Sequence, residues 1–291
     1  YIISFSGRWC GYFFSSGNYR LTGSLMLDLS DFIYIDSVSY RKGIDEKEAS
    51  SIISRLNPGK IKKEHIEALS PSTEVIIPPY YISKKLVTVS EYSEFVKATS
   101  YVSESEREGW GWVWESSWRK RDGVSWQSPF GNIADNIYRE NAIKIPVMQV
   151  SWNDAVAYTE WKSENEGKNI RIPAEIEWEI FANKSGIKSI SEIQQLEEQH
   201  SLINNSEDFI KLLDKKIEYS VNNLGLLWEW TLDWYNGYSP EVMLKDFGNV
   251  YKVLRGGSLL SEEIQKTREF RFRRCPTARS PYYSFRIVLL D

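Results

Sequence analysis

The sequence predicts an α+β fold with many short strands and a few helices. Three observations carry this expectation. Aromatic and polar residues alternate in short runs broken by Gly, Pro and Asn, as in "GYFFSSGNYRLTGSLMLDL" near the start and "YSFRIVLL" at the end. Three segments instead repeat apolar residues at helical spacing behind helix-start signals. No internal repeat is present, so a solenoid or propeller is not indicated.

Each element follows in chain order. Residues 1–30 read as one or two strands joined by a turn, a strand-rich remnant of an upstream region. "DFIYIDSVSYRKG" from 31 reads as a short hairpin. Residues 45–70 are charged and lack aromatics, and read as a surface insertion with some helix, broken at Pro58-Gly59. "EVIIPPYYISKKLV" is strand-like, with Pro78-Pro79 forcing an irregular or edge position. Thr88 with Glu91 forms a capping box ahead of a helix carrying Tyr92, Phe95 and Val96 on one face. Ser151 with Asp154 repeats the device ahead of Ala155, Tyr158 and Trp161. "AEIEWEIFAN" turns Ile176, Ile180 and Phe181 toward a core. Residues 184–220, with Phe209, Leu212, Leu213 and Ile217 on one side, read as an inserted helical pair. In "EFRFRR", Phe270 and Phe272 alternate with Arg271 and Arg273.

Composition excludes several functions. The chain has 291 residues, 42% of them hydrophobic and 26% charged, so it can bury a large core. A formal charge of −4 argues against a nucleic-acid partner, which calls for a basic footprint. Two cysteines, Cys10 and Cys275, cannot build a disulfide-dense scaffold. Two distant histidines, His65 and His200, cannot build a histidine-ligated zinc or iron site. No apolar run reaches the roughly 18 residues of a membrane span. The chain opens at Tyr1 rather than Met, which reads as a fragment or a processed product, so localisation is not legible.

The most unusual stretch is "NNLGLLWEWTLDWY", with Trp228, Trp230 and Trp234 around Glu229. With "FIYIDSVSYRKG", "YYISKKLVTVSEYSEFV", "PVMQVSWNDAVAYTEW", "RIPAEIEWEIFA", "VLRGGS" and "FRIVL", it resembles, in order, the motifs of the formylglycine-generating enzyme (sulfatase-modifying factor) family. The resemblance covers roughly residues 31–291 and implies that family's variant of the C-type-lectin-like fold. It also implies a calcium ion in the turn before Glu229. The ligands would be the side chains of Asn222 and Glu229 and the carbonyls of Gly225 and Leu227, all hard oxygens of the kind calcium takes. Leu226 stands where the family has Asn. The alternative is that Glu229 only accepts backbone hydrogen bonds inside a tryptophan-walled core. A second calcium site of the family has no matching residues in the 184–220 stretch.

Active members hold copper between two cysteine thiolates shortly after Gly-Gly-Ser, because soft thiolates suit Cu(I). Here Gly256-Gly257-Ser258 is followed by Ser261 at the first of those positions, and the second finds no cysteine. Copper is therefore not expected, and Cys275 is the only loophole. The resemblance then implies a non-catalytic, lectin-like binding or scaffold domain stabilised by calcium, with a protein, peptide or glycan ligand. The alternative is an oxidoreductase with altered chemistry. Arg268, Arg271, Arg273, Arg274 and Arg279 either form a cationic face for a carboxylate or phosphate or pair with the abundant Asp and Glu. Trp112, Trp114, Trp118 and Trp126 either stack on a ligand or cover their own small core.

Overall fold

A computed structural model describes residues 27–290, apart from 57–60, 116, 132–137, 141, 194–205, 220 and 242. The expected strands of the first 26 residues, with Cys10, lie outside the described residues.

Strands β1 (Phe32–Ile35) and β2 (Val38–Lys42) do not form the expected hairpin. β1 pairs with β4 (Tyr80–Ser83), and β2 pairs with β3 (Thr73–Ile77). Burial explains the separation. Ile35 is fully enclosed, whereas β2 and β3 alternate between half-buried and exposed residues, so the two pairs pack at different depths. Pro78-Pro79 separates β3 from β4, where neither strand needs its N–H.

The 45–70 stretch departs from the surface insertion expected of it. Helix α1 (Glu46–Arg55) buries Ala49 and Ile52, and α2 (Lys63–Glu67) buries Ile66, all within the main core with Ile61 and Leu69. Its apolar residues are few, but they fall on one face of each short helix, and aromatic content alone did not reveal that.

The two capping boxes work as read: Thr88 opens α3 (Val89–Thr99), and Ser151 opens α5 (Trp152–Glu166). A third, at Ser103, which the sequence reading missed, opens α4 (Glu104–Glu108). α3 and α5 meet through rings: Phe95 lies edge-on to Tyr158 at 5.7 Å, and Tyr158 edge-on to Phe285 at 5.4 Å. The hairpin of β5 (Trp110–Trp114) and β6 (Trp118–Asp122) stands apart as a two-stranded sheet.

Strand β7 (Asn169–Arg171) leads into α6 (Glu175–Lys184). Helix α7 (Ser206–Tyr219) buries Phe209, Ile210 and Leu213 in the main core; a second helix of the expected pair would fall on residues 194–205, outside the described residues. Then come β8 (Trp228–Trp234), β9 (Lys252–Arg255), β10 (Phe272–Arg274), β11 (Tyr283–Ser284) and β12 (Val288–Leu290). Two four-stranded sheets result, ordered β1-β4-β12-β7 and β10-β9-β8-β11. The last strand thus lies inside the first sheet, Val288 facing Ile82 on one side and Arg171 on the other. This mixed architecture is the α+β fold expected from the pattern.

Two glycines of "RGGS" are explained by contact. Gly256 has φ +93, and a Cβ there would stand 2.9 Å from the Trp178 ring; at Gly257, φ +71, it would stand 2.7 Å from the Lys266 side chain. The motif tryptophans are core: Trp178 and Trp230 are fully buried and Trp228 is 5% exposed. Trp230→Ala is expected to cost about 3–5 kcal/mol of unfolding free energy. Urea melts will show it, and a midpoint equal to that of the parent would contradict the assigned packing.

Candidate functional site

The turn before β8 holds the first candidate. Asn222 and Asn223 adopt left-handed φ values of 57 and 54, and Gly225 a φ of +75, which curls the chain before it enters the strand. The Asn222 side-chain amide donates to Ser185 Oγ at 2.9 Å. Glu229 is fully buried. Its Oε2 accepts from Trp178 Nε1 at 2.9 Å, and Arg286 clasps both of its oxygens, Nη2 donating to Oε1 at 2.8 Å. Arg286 also donates to the carbonyls of Ser83, Lys84 and Asn222. The donor set for calcium is therefore of the right chemical type, hard oxygens around a glycine turn, but its single carboxylate is shared with a guanidinium. Arg286 lies within the "FRIVL" motif, and only its distance in sequence from Glu229 hid the pair.

A second ionic centre separates the two readings of the arginines, in favour of pairing with Glu and Asp. Arg271 is buried, not surface-facing: it grips Glu175, Nη2 donating to Oε2 at 3.0 Å, and also donates to the carbonyls of Ala68 and Asn236. Arg255, equally buried, donates to Glu175 and to Glu179 at 2.9 and 2.6 Å. Arg273 is ion-paired with Asp246, and Arg268 with Glu192 and Glu269. Alternation puts Arg271 and Arg273 on one side, but Arg271, just before β10, is enclosed by its partners, and Arg273 is half-buried against Asp246. Arg271 is thus enclosed in the structure and unavailable to a ligand, and Arg273 is engaged by Asp246.

Ser261, where the resemblance implies the first catalytic cysteine, is 5% exposed. Its Oγ accepts from the Ser258 backbone N–H at 2.9 Å and lies 3.2 Å from the Ser258 hydroxyl. Cys275 is exposed and is the sole free cysteine among the described residues. It lies beyond the end of β10 with Thr277 Oγ1 3.8 Å from its sulfur. It lines a surface cleft, whereas Ser261 is enclosed.

That cleft, about 470 Å³, is the third candidate. One wall is the β5–β6 hairpin, which contributes Trp110, Trp112 and Trp118; the other includes Arg274, Cys275 and Tyr283. Strand alternation puts Trp110, Trp112 and Trp114 on one face, while Gly111 and Val113 are buried on the other. Gly111 is required by space, since a Cβ would stand 2.5 Å from Val124. Trp112 is 39% and Trp118 45% exposed. Arg279, 4% exposed, stacks on Trp110 at 4.1 Å and donates to Glu108 at 2.8 Å, which fixes this wall. Trp126 does not join it. It is 3% exposed and lies edge-on to Tyr92 at 5.2 Å, because the chain turns inward after β6. Its ring therefore packs the core instead of stacking on a ligand.

Fold, glycine motif and tryptophan turn together define a sulfatase-modifying-factor type of domain, and the comparisons agree. The profile of the sulfatase-modifying factor enzyme 1-like domain matches residues 45–290. The chain belongs to this family. It is 28% identical over 236 residues to the formylglycine-generating enzyme of Thermomonospora curvata, covering 66% of this chain and 75% of that one. It is 33% identical over 135 residues to the inactive C-alpha-formylglycine-generating enzyme 2 of Mus musculus, covering 40% and 41%. The solved structure of PvdO from Pseudomonas aeruginosa shares the fold, with TM-score 0.55, 16% identity, and coverage of 89% of this chain and 94% of that one.

The second ionic centre titrates near neutrality. Burial is the main cause raising the Glu179 carboxyl from 4.5 to about 7, aided by the neighbouring carboxylates Glu269 and Glu175 and opposed by Arg255. The folded state thus binds this proton more tightly than the unfolded chain. The stabilisation is complete below about pH 4.5 and is lost as pH rises through about 7. Between pH 8 and 5 the parent should gain stability on acidification relative to Glu179→Gln, whose amide can still accept from Arg255. Chemical melts at several pH values test this; parallel profiles would contradict the assignment.

Proposed function

We propose that this chain is a non-catalytic member of its family, a binding or scaffold domain that uses the tryptophan-walled cleft as its ligand face. The observation that carries this reading is Ser261. A buried hydroxyl hydrogen-bonded to Ser258 stands where a Cu(I) thiolate is needed, and hard oxygen is a poor ligand for that soft ion. Cys275 faces the cleft and has no second thiol beside it among the described residues. The likeness to a relative named inactive supports the same reading.

A sulfatase-type Cys-x-Pro-x-Arg peptide, incubated with the protein, copper and reductant, should keep its thiol by mass spectrometry. Conversion of the thiol to an aldehyde, lost in Cys275→Ser, would overturn the proposal.

Calcium belongs to the same proposal as a structural ion held by Asn222, Gly225, Leu227 and Glu229. One carboxylate, shared with Arg286, supplies little negative charge, so the expected Kd is at the weak end, about 10⁻⁴–10⁻³ M. At about 10 mM calcium and a Kd of about 10⁻³ M, the native state gains about 1.4 kcal/mol. Thermal melts in calcium and in EGTA should differ accordingly. Coincident melts would show that the turn is held by Arg286 without an ion.

A further inference from the structure

We infer that the β5–β6 hairpin docks an extended acidic peptide segment of a partner protein, added along the outer edge of β6 with alternate side chains entering the cleft. This rests on the cleft being the ligand face and adds the class of ligand.

Three observations lead there. First, among the described residues β6 pairs only with β5, and all five of its residues are exposed. Its outer edge, about 17 Å long, can accept another strand by main-chain pairing. Second, its sequence is Trp118-Arg119-Lys120-Arg121-Asp122, three successive cations in a chain of net charge −4. Third, the two faces of the strand differ. Trp118 pairs across from Trp114 and Lys120 from Trp112, so both lie on the tryptophan face, and the Lys120 ammonium sits 4.2 Å over the Trp110 ring. Arg119 and Arg121 take the opposite face, where Arg121 pairs with Glu115 at 2.7 Å in an exposed bridge that a competing carboxylate can replace.

The common alternative is that these charges only protect an edge from aggregation. A protective edge has no use for large exposed aromatics beside it, yet Trp112 and Trp118 are exposed on the same hairpin. A peptide is favoured over a sugar by spacing and by polarity. Trp110, Trp112 and Trp114 repeat every second residue, about 6.8 Å apart, which is the spacing of alternate side chains in an extended strand. The cleft's buried guanidinium, Arg279, is already bound to Glu108 and to the Trp110 carbonyl, so it is not free to bind a sugar's hydroxyls. Period-two geometry then sets the pattern of the ligand: aromatic or aliphatic side chains toward the tryptophans, alternating with acidic ones toward Arg119 and Arg121.

The test uses fluorescently labelled eight-residue peptides of alternating Glu-Tyr, Gln-Tyr and Lys-Tyr, with a galacturonate tetramer as the glycan probe, read by anisotropy against the whole chain. The Glu-Tyr peptide should bind at least tenfold more tightly than Gln-Tyr, and its affinity should fall with salt. Arg119→Glu with Arg121→Glu should weaken it at least tenfold, and backbone N-methylation of the peptide should do the same. These side chains are exposed, so unchanged thermal melts will confirm that the variants remain folded. Equal binding of Gln-Tyr, indifference to the charge reversal, or no binding of Glu-Tyr at 1 mM overturns the inference. Tighter binding of the galacturonate, weakened by the same variants, overturns it in favour of a glycan. If Glu-Tyr fails while Trp118→Ala abolishes binding of another probe, the acidic-peptide class falls and the cleft stands as the ligand face.

Discussion

The carboxylate of Glu229 and the guanidinium of Arg286 meet where α6, the 222–229 turn and the final strand converge, and neither is open to solvent. Every N–H of that guanidinium has an acceptor: the carboxylate, and the carbonyls of Ser83, Lys84 and Asn222. One side chain thus fixes β4, the turn and the chain end in a single arrangement. Burying such a pair yields little net stability compared with an apolar substitute, but removing one partner strands the other charge, at about 3–5 kcal/mol. The pair therefore acts as a constraint on geometry. It sets the entry of β8 into the second sheet and the position of β12 in the first.

The Glu175–Arg255–Arg271 centre repeats this arrangement beside it on α6, with Arg255 5.5 Å over the Trp178 ring. Both centres place α6 carboxylates or the Trp178 indole against residues 50 to 100 positions away in the chain. Gly256 lets the chain pass close to that helix, and Gly257 lets it pass close to Lys266. In the proposed non-catalytic reading, a scaffold held this way keeps its shape without catalytic thiolates. Ser261 keeps the local turn by hydrogen-bonding to Ser258, which a thiolate would do less well.

What was legible in the sequence follows from range. The capping boxes at Thr88 and Ser151 and the helical face of "AEIEWEIFAN" are local signals, and each produced its helix. The tryptophan turn and the glycine pair were legible through the family motifs. Pairings between distant segments were not. β1 and β2 are adjacent and look like a hairpin, yet each finds a partner more than 30 residues on. Arg271 and Arg273 looked like a ligand face because alternation says which residues share a side and nothing about what covers it. Trp126 and Trp118 have similar surroundings in sequence, but one turns into the core and the other lines the cleft. The cleft itself joins residues 108–118 to residues 274–283, a contact that no local pattern encodes.

In the proposed reading the family's copper site is gone and its scaffold remains. A Cu(I) titration of the reduced protein against a competing chelator, followed by X-ray absorption, tests it most directly. The chelator should retain the copper, and the Cys275→Ser variant should behave like the parent. One equivalent of copper drawn into two-coordinate sulfur ligation would contradict it.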